Sequence, residues 1–499
     1  MVMTNECLSA PRAAHGRSPH SGIAAPSVPA RAILTTSSFT SGEMPNRCGD
    51  DCYSYFFVQR AFLPLLKRWG EVREIEQPAA RLDEAAAAAR ARQTTPLHLS
   101  FLPPQYMPLA AGAPNVAFPF WEYPDIPNYD VGGKASNNWL RIAEKVDAML
   151  TACEFTREAF RRAGARVPMH LVPVPIAAGY FAVPGWQPDQ RVTLETTCYV
   201  LPQAGVPLRT PLTVARAAAK KSRQQLLGVY RRHVRPRLPV AMHRNLASTS
   251  RGLMTIQEPQ PPEPFPIAFA PSDRLDLSGV VYTSILNPFD IRKDWRSLLR
   301  CFLRALGDRD DAALVIKLAL SRTMRQEGLH HVLHYYQRLG VRHRCRVAVI
   351  ADYLPDDDML RLCQASTYYL NTSKAEGLCM PLQDALAAGR PGIAPAHTAM
   401  AEYIDEQLAF VVPSRSEPTY WPWDPQCRLT TRWQRLDGRR LTAQIRASYH
   451  AARHERSRYG EMSQCGRERM RDVASEEKVW PKLNEALNEA IAIFKHQSE

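Results

Sequence analysis

The 499-residue chain predicts an α/β protein of two doubly wound, Rossmann-like domains in series. Three observations carry that expectation. Strand and helix patterns alternate over residues 43–195, the alternation resumes over 263–474, and a basic, proline-rich stretch at 196–262 separates them. A chain this long also exceeds what one hydrophobic core supports.

The first half opens with CGDDC (48–52), a Gly/Asp turn. An amphipathic helix follows with Phe57, Ala61, Leu65 and Trp69 at helical spacing, then a strand near 72–75. Further strands are predicted at 97–102, 115–120, 148–150 and 169–174, with helices from Asn138 and over 155–164. Gly49, Asp50 and Asp51 mark a strand–helix turn and are candidates for the interdomain cleft. In the second half, strands at 279–286, 313–320, 346–351 and 368–370 alternate with helices at 295–306, 328–339 and 355–366. The last residues, from about Ser475, read as one more helix with an apolar face.

Hydrophobic content of 45% and nine tryptophans describe a globular protein. No run approaches the roughly 20 apolar residues of a membrane span. Residues 1–42 lack the apolar core of a signal peptide and contain one acid, Glu6, which predicts a disordered leader. The eleven cysteines are scattered without a CxxC pair, as expected of reduced thiols in a cytoplasmic protein. Net charge is +14, and residues 201–257 hold eleven Lys/Arg and no acid. That segment is a solvated insertion, a contact for anionic membrane lipids, or a nucleic-acid contact.

The densest signal is NTSKAEGLCMPLQDALAAGRPGIAPA (371–396). A short apolar strand leads into a Ser/Gly turn carrying Glu376. A helix opens at Pro381, with Asp384 in its first turn, and closes at Gly389-Arg390-Pro391. The amides of Gly377, Leu378, Cys379 and Met380 then sit at a helix N-terminus, where unpaired donors and the positive dipole end favour a phosphate. Two carboxylates flank that anion cradle. An ordinary strand–loop–helix unit is the alternative.

EGLCMPLQD (376–384) resembles the donor-site signature of the GT-B-fold retaining glycosyltransferases of family 4. That pattern is acid, glycine, two or three small or apolar residues, proline, and a second acid eight residues after the first. Asp384 stands where glutamate is usual, and Cys379 where glycine is common. NPFDIRKDW (287–295) resembles the family's phosphate-contacting loop, with Asn287 in place of an arginine. The resemblance covers 279–405 well and 43–195 loosely.

It implies a GT-B architecture whose C-terminal helix, 475–499, crosses back onto the first domain. It also implies a retaining enzyme that moves a sugar from a nucleoside-diphosphate sugar to a saccharide or lipid-linked acceptor. Glu376 would fix donor hydroxyls, Asp384 the ribose, and Lys293 with Arg292 the diphosphate. Lys317 lies either at a strand mouth or at a sheet edge. Tyr353 stands where relatives seat the nucleobase. Trp121 and Glu122, at the mouth of a first-domain strand, would meet the acceptor, the tryptophan by stacking and the carboxylate on a hydroxyl, or else are a buried aromatic and a capping acid. His397 and Glu402 are expected to be structural. Asp308-Arg309-Asp310 is a polar turn and Asp356–Asp358 a helix start, so no metal or other cofactor is expected, the nucleotide sugar being a substrate. The rival is a binding protein of the same fold that has lost turnover and docks membrane or nucleic acid.

Overall fold

The computed structural model describes residues 30–39, 43–201, 270–424 and 426–498. Residues 1–29 of the expected leader and nearly all of the basic segment, from 202 to 269, lie outside them.

The first domain is built on a six-stranded parallel sheet of order β2-β1-β3-β4-β5-β6. Its strands are β1 (Arg31–Ser37), β2 (Glu71–Glu74), β3 (Thr95–Phe101), β4 (Asn115–Ala117), β5 (Ala148–Thr151) and β6 (Met169–Leu171). β1 corrects the expected leader, since residues 31–37 form an inner strand paired with both β2 and β3. Its sequence, RAILTTS, has few apolar residues because two of its buried positions are polar and internally satisfied. Gln59 Nε2 donates to Thr35 Oγ1 at 2.9 Å, and Thr36 Oγ1 lies 3.0 Å from His98 Nε2. His98 in turn meets Asn115 Oδ1 at 2.9 Å, and burial pulls its imidazole down to about 4, so it stays neutral. Helix Tyr53–Trp69 covers this sheet with Phe62, Leu65 and Leu66.

The second domain holds a seven-stranded sheet of order β15-β14-β13-β10-β11-β12-β8. Its strands are β8 (Cys198–Val200), β10 (Val280–Leu286), β11 (Ala312–Leu318), β12 (Arg346–Ile350), β13 (Tyr368–Leu370), β14 (Gly392–Ala394) and β15 (Ala409–Val411). All pairings are parallel except β12 with β8. Two small antiparallel ribbons join it, β7 (Arg191–Leu194) with β9 (Leu275–Ser278), and β16 (Ser414–Tyr420) with β17 (Thr430–Leu436).

The expected boundary at residue 195 moves accordingly, because Ile176 already packs in a second-domain cluster and β8 is an edge strand of the second sheet. The chain crosses between domains twice at one place: the Ile176 amide donates to the Ala474 carbonyl at 2.9 Å. Helix Glu476–Ser498 then returns to the first sheet, where Val479, Leu483, Leu487 and Ala490 join the core of Phe62, Leu97 and Leu150. Among the described residues no helix is long and apolar enough to cross a membrane.

Candidate functional site

From β10 the chain builds one flank of the second sheet through β11 and β12, then returns to build the other through β13, β14 and β15. The order reverses between β10 and β13, and the crevice beyond the carboxyl ends of two such strands is where open α/β sheets bind ligands. Two loops fill that rim, 287–294 after β10 and 371–379 after β13.

The loops are tied together by their backbones. The Lys374 amide donates to the Arg292 carbonyl at 2.7 Å, and Thr372 Oγ1 donates to the Lys293 carbonyl at 2.9 Å. On this frame Lys293 Nζ lies 2.6 Å from Glu376 Oε1. Burial is the largest single influence and works against both charges, but the surrounding charges together outweigh it: Lys293 and Arg292 hold Glu376 below the ordinary carboxylate range, and Glu376 with Asp290 holds Lys293 above the ordinary lysine. Both are charged at neutral pH.

Arg292 bridges the domains. It meets Asp290 at 2.6 Å, the Ala375 carbonyl at 3.1 Å, and Glu122 of the first domain at 3.0 Å. Burial raises the Glu122 carboxyl, and the nearby Arg292 offsets only part of it. Glu376, Lys293, Arg292 and Glu122 therefore form one charged cluster with members from both domains. Asp290, within the motif but not singled out from sequence, completes the set.

Helix Met380–Ala387 starts one residue earlier than expected, which puts Asp384 at the start of its second turn. Among the described residues, the amides of Gly377, Leu378, Cys379 and Met380 donate to no protein acceptor. Their loop is pressed against the first domain. A Cβ on Gly377 would come within 3.2 Å of the Trp121 backbone, and the side chains of Leu378 and Met380 join the first-domain core. Cys379, at φ 68°, occupies the left-handed region that favours glycine, as do Asp294 at 44° and Thr398 at 51°. Three strained non-glycine residues thus border one crevice, a pattern associated with functional sites.

Thr398, which the sequence did not mark, extends the site beside His397, which was expected to be structural. Thr398 Oγ1 accepts the Glu376 amide at 3.1 Å and donates to the His397 carbonyl at 2.7 Å. Burial pulls His397 down to about 4, so it is neutral beside Glu376. Glu402 caps a first-domain helix, accepting the amides of Glu154 and Phe155 at 2.9 and 2.7 Å.

Asp384 lines a separate small cavity of about 30 Å³ with Tyr180, Thr283, Met359, Ser366 and Tyr369. Burial lifts its carboxyl to about 7, against a modest pull from Arg60.

Several expected contacts are corrected. Trp121 is 2% exposed and packed among Tyr123, Trp139 and Trp421, leaving no free ring face for a sugar. Tyr353 packs against the first-domain group around Phe39, Cys48 and Phe56, which makes it an interdomain contact. Of the two positions expected for Lys317, the structure gives the strand mouth: it is the next-to-last residue of the inner strand β11, is buried, donates to the Leu318 carbonyl at 2.7 Å, and is pulled down to about 8 because burial disfavours its charge.

Gly49, at φ 97°, is wedged against the second domain: a Cβ there would meet the Ala319 carbonyl oxygen at 2.5 Å. Asn287 Nδ2 donates to the Gly49 carbonyl at 3.2 Å. Asp50 pairs with Arg47 at 3.3 Å, while Asp51 is exposed. Asp310 of the discounted DxD triplet pairs with Arg344 at 2.6 Å on the surface. Among the described residues no group of three His, Cys, Asp or Glu side chains is placed to hold a metal ion.

The arrangement of two facing domains matches solved structures. Sucrose-phosphate synthase from Thermosynechococcus elongatus aligns over 93% of this chain and 99% of its own, with a TM-score of 0.50 at 12% identity. The chain has the GT-B fold. A glycosyltransferase from Rickettsia africae aligns over 92% of this chain and 98% of its own, with a TM-score of 0.49 at 10% identity. HepE from Anabaena, solved in complex with UDP and glucose, aligns over 92% and 99%, with a TM-score of 0.46 at 12% identity. No family model matches the chain, and no curated protein matches it.

Proposed function

We propose that this GT-B protein is a retaining glycosyltransferase, moving a sugar from a nucleoside-diphosphate sugar to a saccharide or lipid-linked acceptor. The carrying observation is the Lys293–Glu376 pair, 2.6 Å apart at the switch point of the second sheet, opposite Glu122 and beside amides that donate to no acceptor among the described residues. In this reading the amides of 377–380 and Lys293 hold the diphosphate and Glu376 the donor hydroxyls, while Asp384, enclosed in its own small cavity, is left without the ribose contact that the resemblance implies. The bond from the anomeric carbon to the diphosphate oxygen breaks as the acceptor oxygen bonds on the same face. The departing diphosphate takes the acceptor's proton. Lys293 and the amides stabilise the charge that develops on it, the kind of fixed electrostatic support worth about 2.7–4 kcal/mol per donor. No metal takes part in this scheme.

The setting we infer is surface polysaccharide or glycolipid synthesis on the cytoplasmic side. Contact between the basic 201–257 segment and anionic membrane rests on charge alone. Its test is sedimentation with anionic vesicles, lost on deleting that segment.

Release of nucleoside diphosphate from UDP-, GDP- and ADP-sugars tests the main reading. Turnover of one donor that disappears in Glu376→Ala supports it; equal turnover in that variant overturns it. One observation favours the rival binding protein: Asn287 uses its amide on Gly49, so the loop supplies one cation fewer. Tight nucleotide binding with no donor breakdown would select that reading.

A further inference from the structure

The ribbon of β16 and β17 leaves the second domain as an arm and ends on the first. Its strands pair from Ser414↔Leu436 at the base to Tyr420↔Thr430 near the tip. The tip contributes Leu429 to the first-domain cluster of Trp121, Trp139 and Phe160, and sets Trp421 with its ring centroid 5.5 Å from Trp121. Two polar contacts cross the same boundary. Tyr129 OH donates to Asp424, and Thr431 Oγ1 donates to Asp125 at 2.9 Å. Asp424 is 2% exposed and also accepts the amides of Gln426, Arg428 and Leu429, which ties those residues to it.

The base of the arm holds the donor loop instead. The Gln434 amide donates to the Lys374 carbonyl at 2.8 Å, and Lys374 Nζ lies 4.3 Å from the Trp433 ring centroid. Lys374 is two residues from Glu376, and its own amide is bonded to Arg292. One ribbon therefore grips residues 121–131 with its tip and residue 374 with its base. Between those points stands the Arg292–Glu122 ion pair.

We propose that the arm is a positioning element for the acceptor side of the reaction: it holds the first-domain loop that bears Glu122 in register with Glu376. Tyr129, Asp125, Asp424 and Thr431 act through Glu122 and Trp121 and touch no reacting atom. This rests on the sugar-transfer reading, which places an acceptor between Glu122 and Glu376.

Because Glu417 and Trp433 are direct partners, residues 418–432 can be replaced by a two-residue Asn-Gly turn that removes the tip and keeps Trp433 and Gln434 on the donor loop. That variant and the milder Tyr129→Phe/Thr431→Val pair are compared with the full chain by small-angle scattering, by calorimetric titration with UDP, GDP and ADP alone, and by donor hydrolysis. The expected result is a larger radius of gyration without the tip and nucleotide affinity within twofold of the full chain. For hydrolysis, kcat should fall at least tenfold with KM for the donor within twofold, and the milder pair should fall in between. An unchanged radius with unchanged kcat overturns the proposal, as does a parallel loss of nucleotide affinity, which would mark the arm as a prop for the donor domain. If the full chain neither binds nor hydrolyses any nucleotide, the sugar-transfer reading fails, and the scattering comparison still decides whether the arm holds the domains together.

Discussion

The donor loop at 371–380 and the arm at 414–436 touch through Lys374, yet they obey different rules. The loop is specified locally. A short strand, a turn, Pro381 inside the first turn and Gly389 at φ 69° past the last one are set by neighbours in sequence. The arm is specified at long range. Its fixed points, Tyr129, Asp125 and Trp121, lie about three hundred residues away, and six of its fourteen strand residues are exposed. Local rules shape a site, and distant contacts set what it faces.

The contrast breaks most severely at Arg390, where the donor unit itself depends on distant partners. Its side chain is fully buried and donates to the carbonyls of Cys363, Gln364, Ala388 and Pro184, drawing two helix C-termini and the segment at Pro184 together. Arg390→Met leaves those carbonyls without their cation and should cost on the order of 4 kcal/mol in urea unfolding. A loss under about 1 kcal/mol would mean the unit is held by local signals alone.

Next in size is Glu376→Gln, which keeps the shape of the loop and removes one charge. Donor hydrolysis should fall by roughly a hundredfold or more. Loss of the folded state instead would assign the Lys293–Glu376 pair to stability.

A pH effect of intermediate size separates Asp384 from Glu376. Asp384 holds its proton to about 7 when folded, while an unfolded aspartate releases it near 3.9. Between those values the unfolded state binds fewer protons, so this residue lowers stability progressively as pH rises from about 4 to 7. Asp384→Asn should therefore raise the melting temperature more at pH 8 than at pH 5. A gap that is constant or shrinks with pH contradicts the buried, protonated carboxyl.

The smallest effect belongs to the arm. Tyr129→Phe removes one cross-domain donor and should cost about 1 kcal/mol, read as a modest drop in melting temperature. A cost near zero would leave the Trp121–Trp421 contact as the arm's main anchor.

The second domain was legible because its strands are buried on both faces by helices, as Val280–Leu286 shows, and so read as near-continuous apolar runs. The motif loop was legible because glycine, proline and acid positions answer to backbone geometry. β1 was not, since Thr35 and Thr36 hide their hydroxyls in a network with Gln59 and His98 that no nearby pattern announces. Trp121 stays open between its two readings for a related reason: a tryptophan at a strand mouth looks the same in sequence whether a sugar or Trp421 covers it. The ribbon Ser414–Leu436 gave no signal because its alternation is polar on both sides until the first domain supplies its partner surface.

Sugar transfer by this protein requires the start of helix Met380–Ala387 to receive a pyrophosphate, and a crystal structure with a bound nucleoside diphosphate shows whether it does. Phosphate oxygens should lie about 3 Å from the amides of Leu378, Cys379 or Met380 and from Lys293 Nζ. A nucleotide seated elsewhere, with Lys293 still paired only to Glu376, would contradict it.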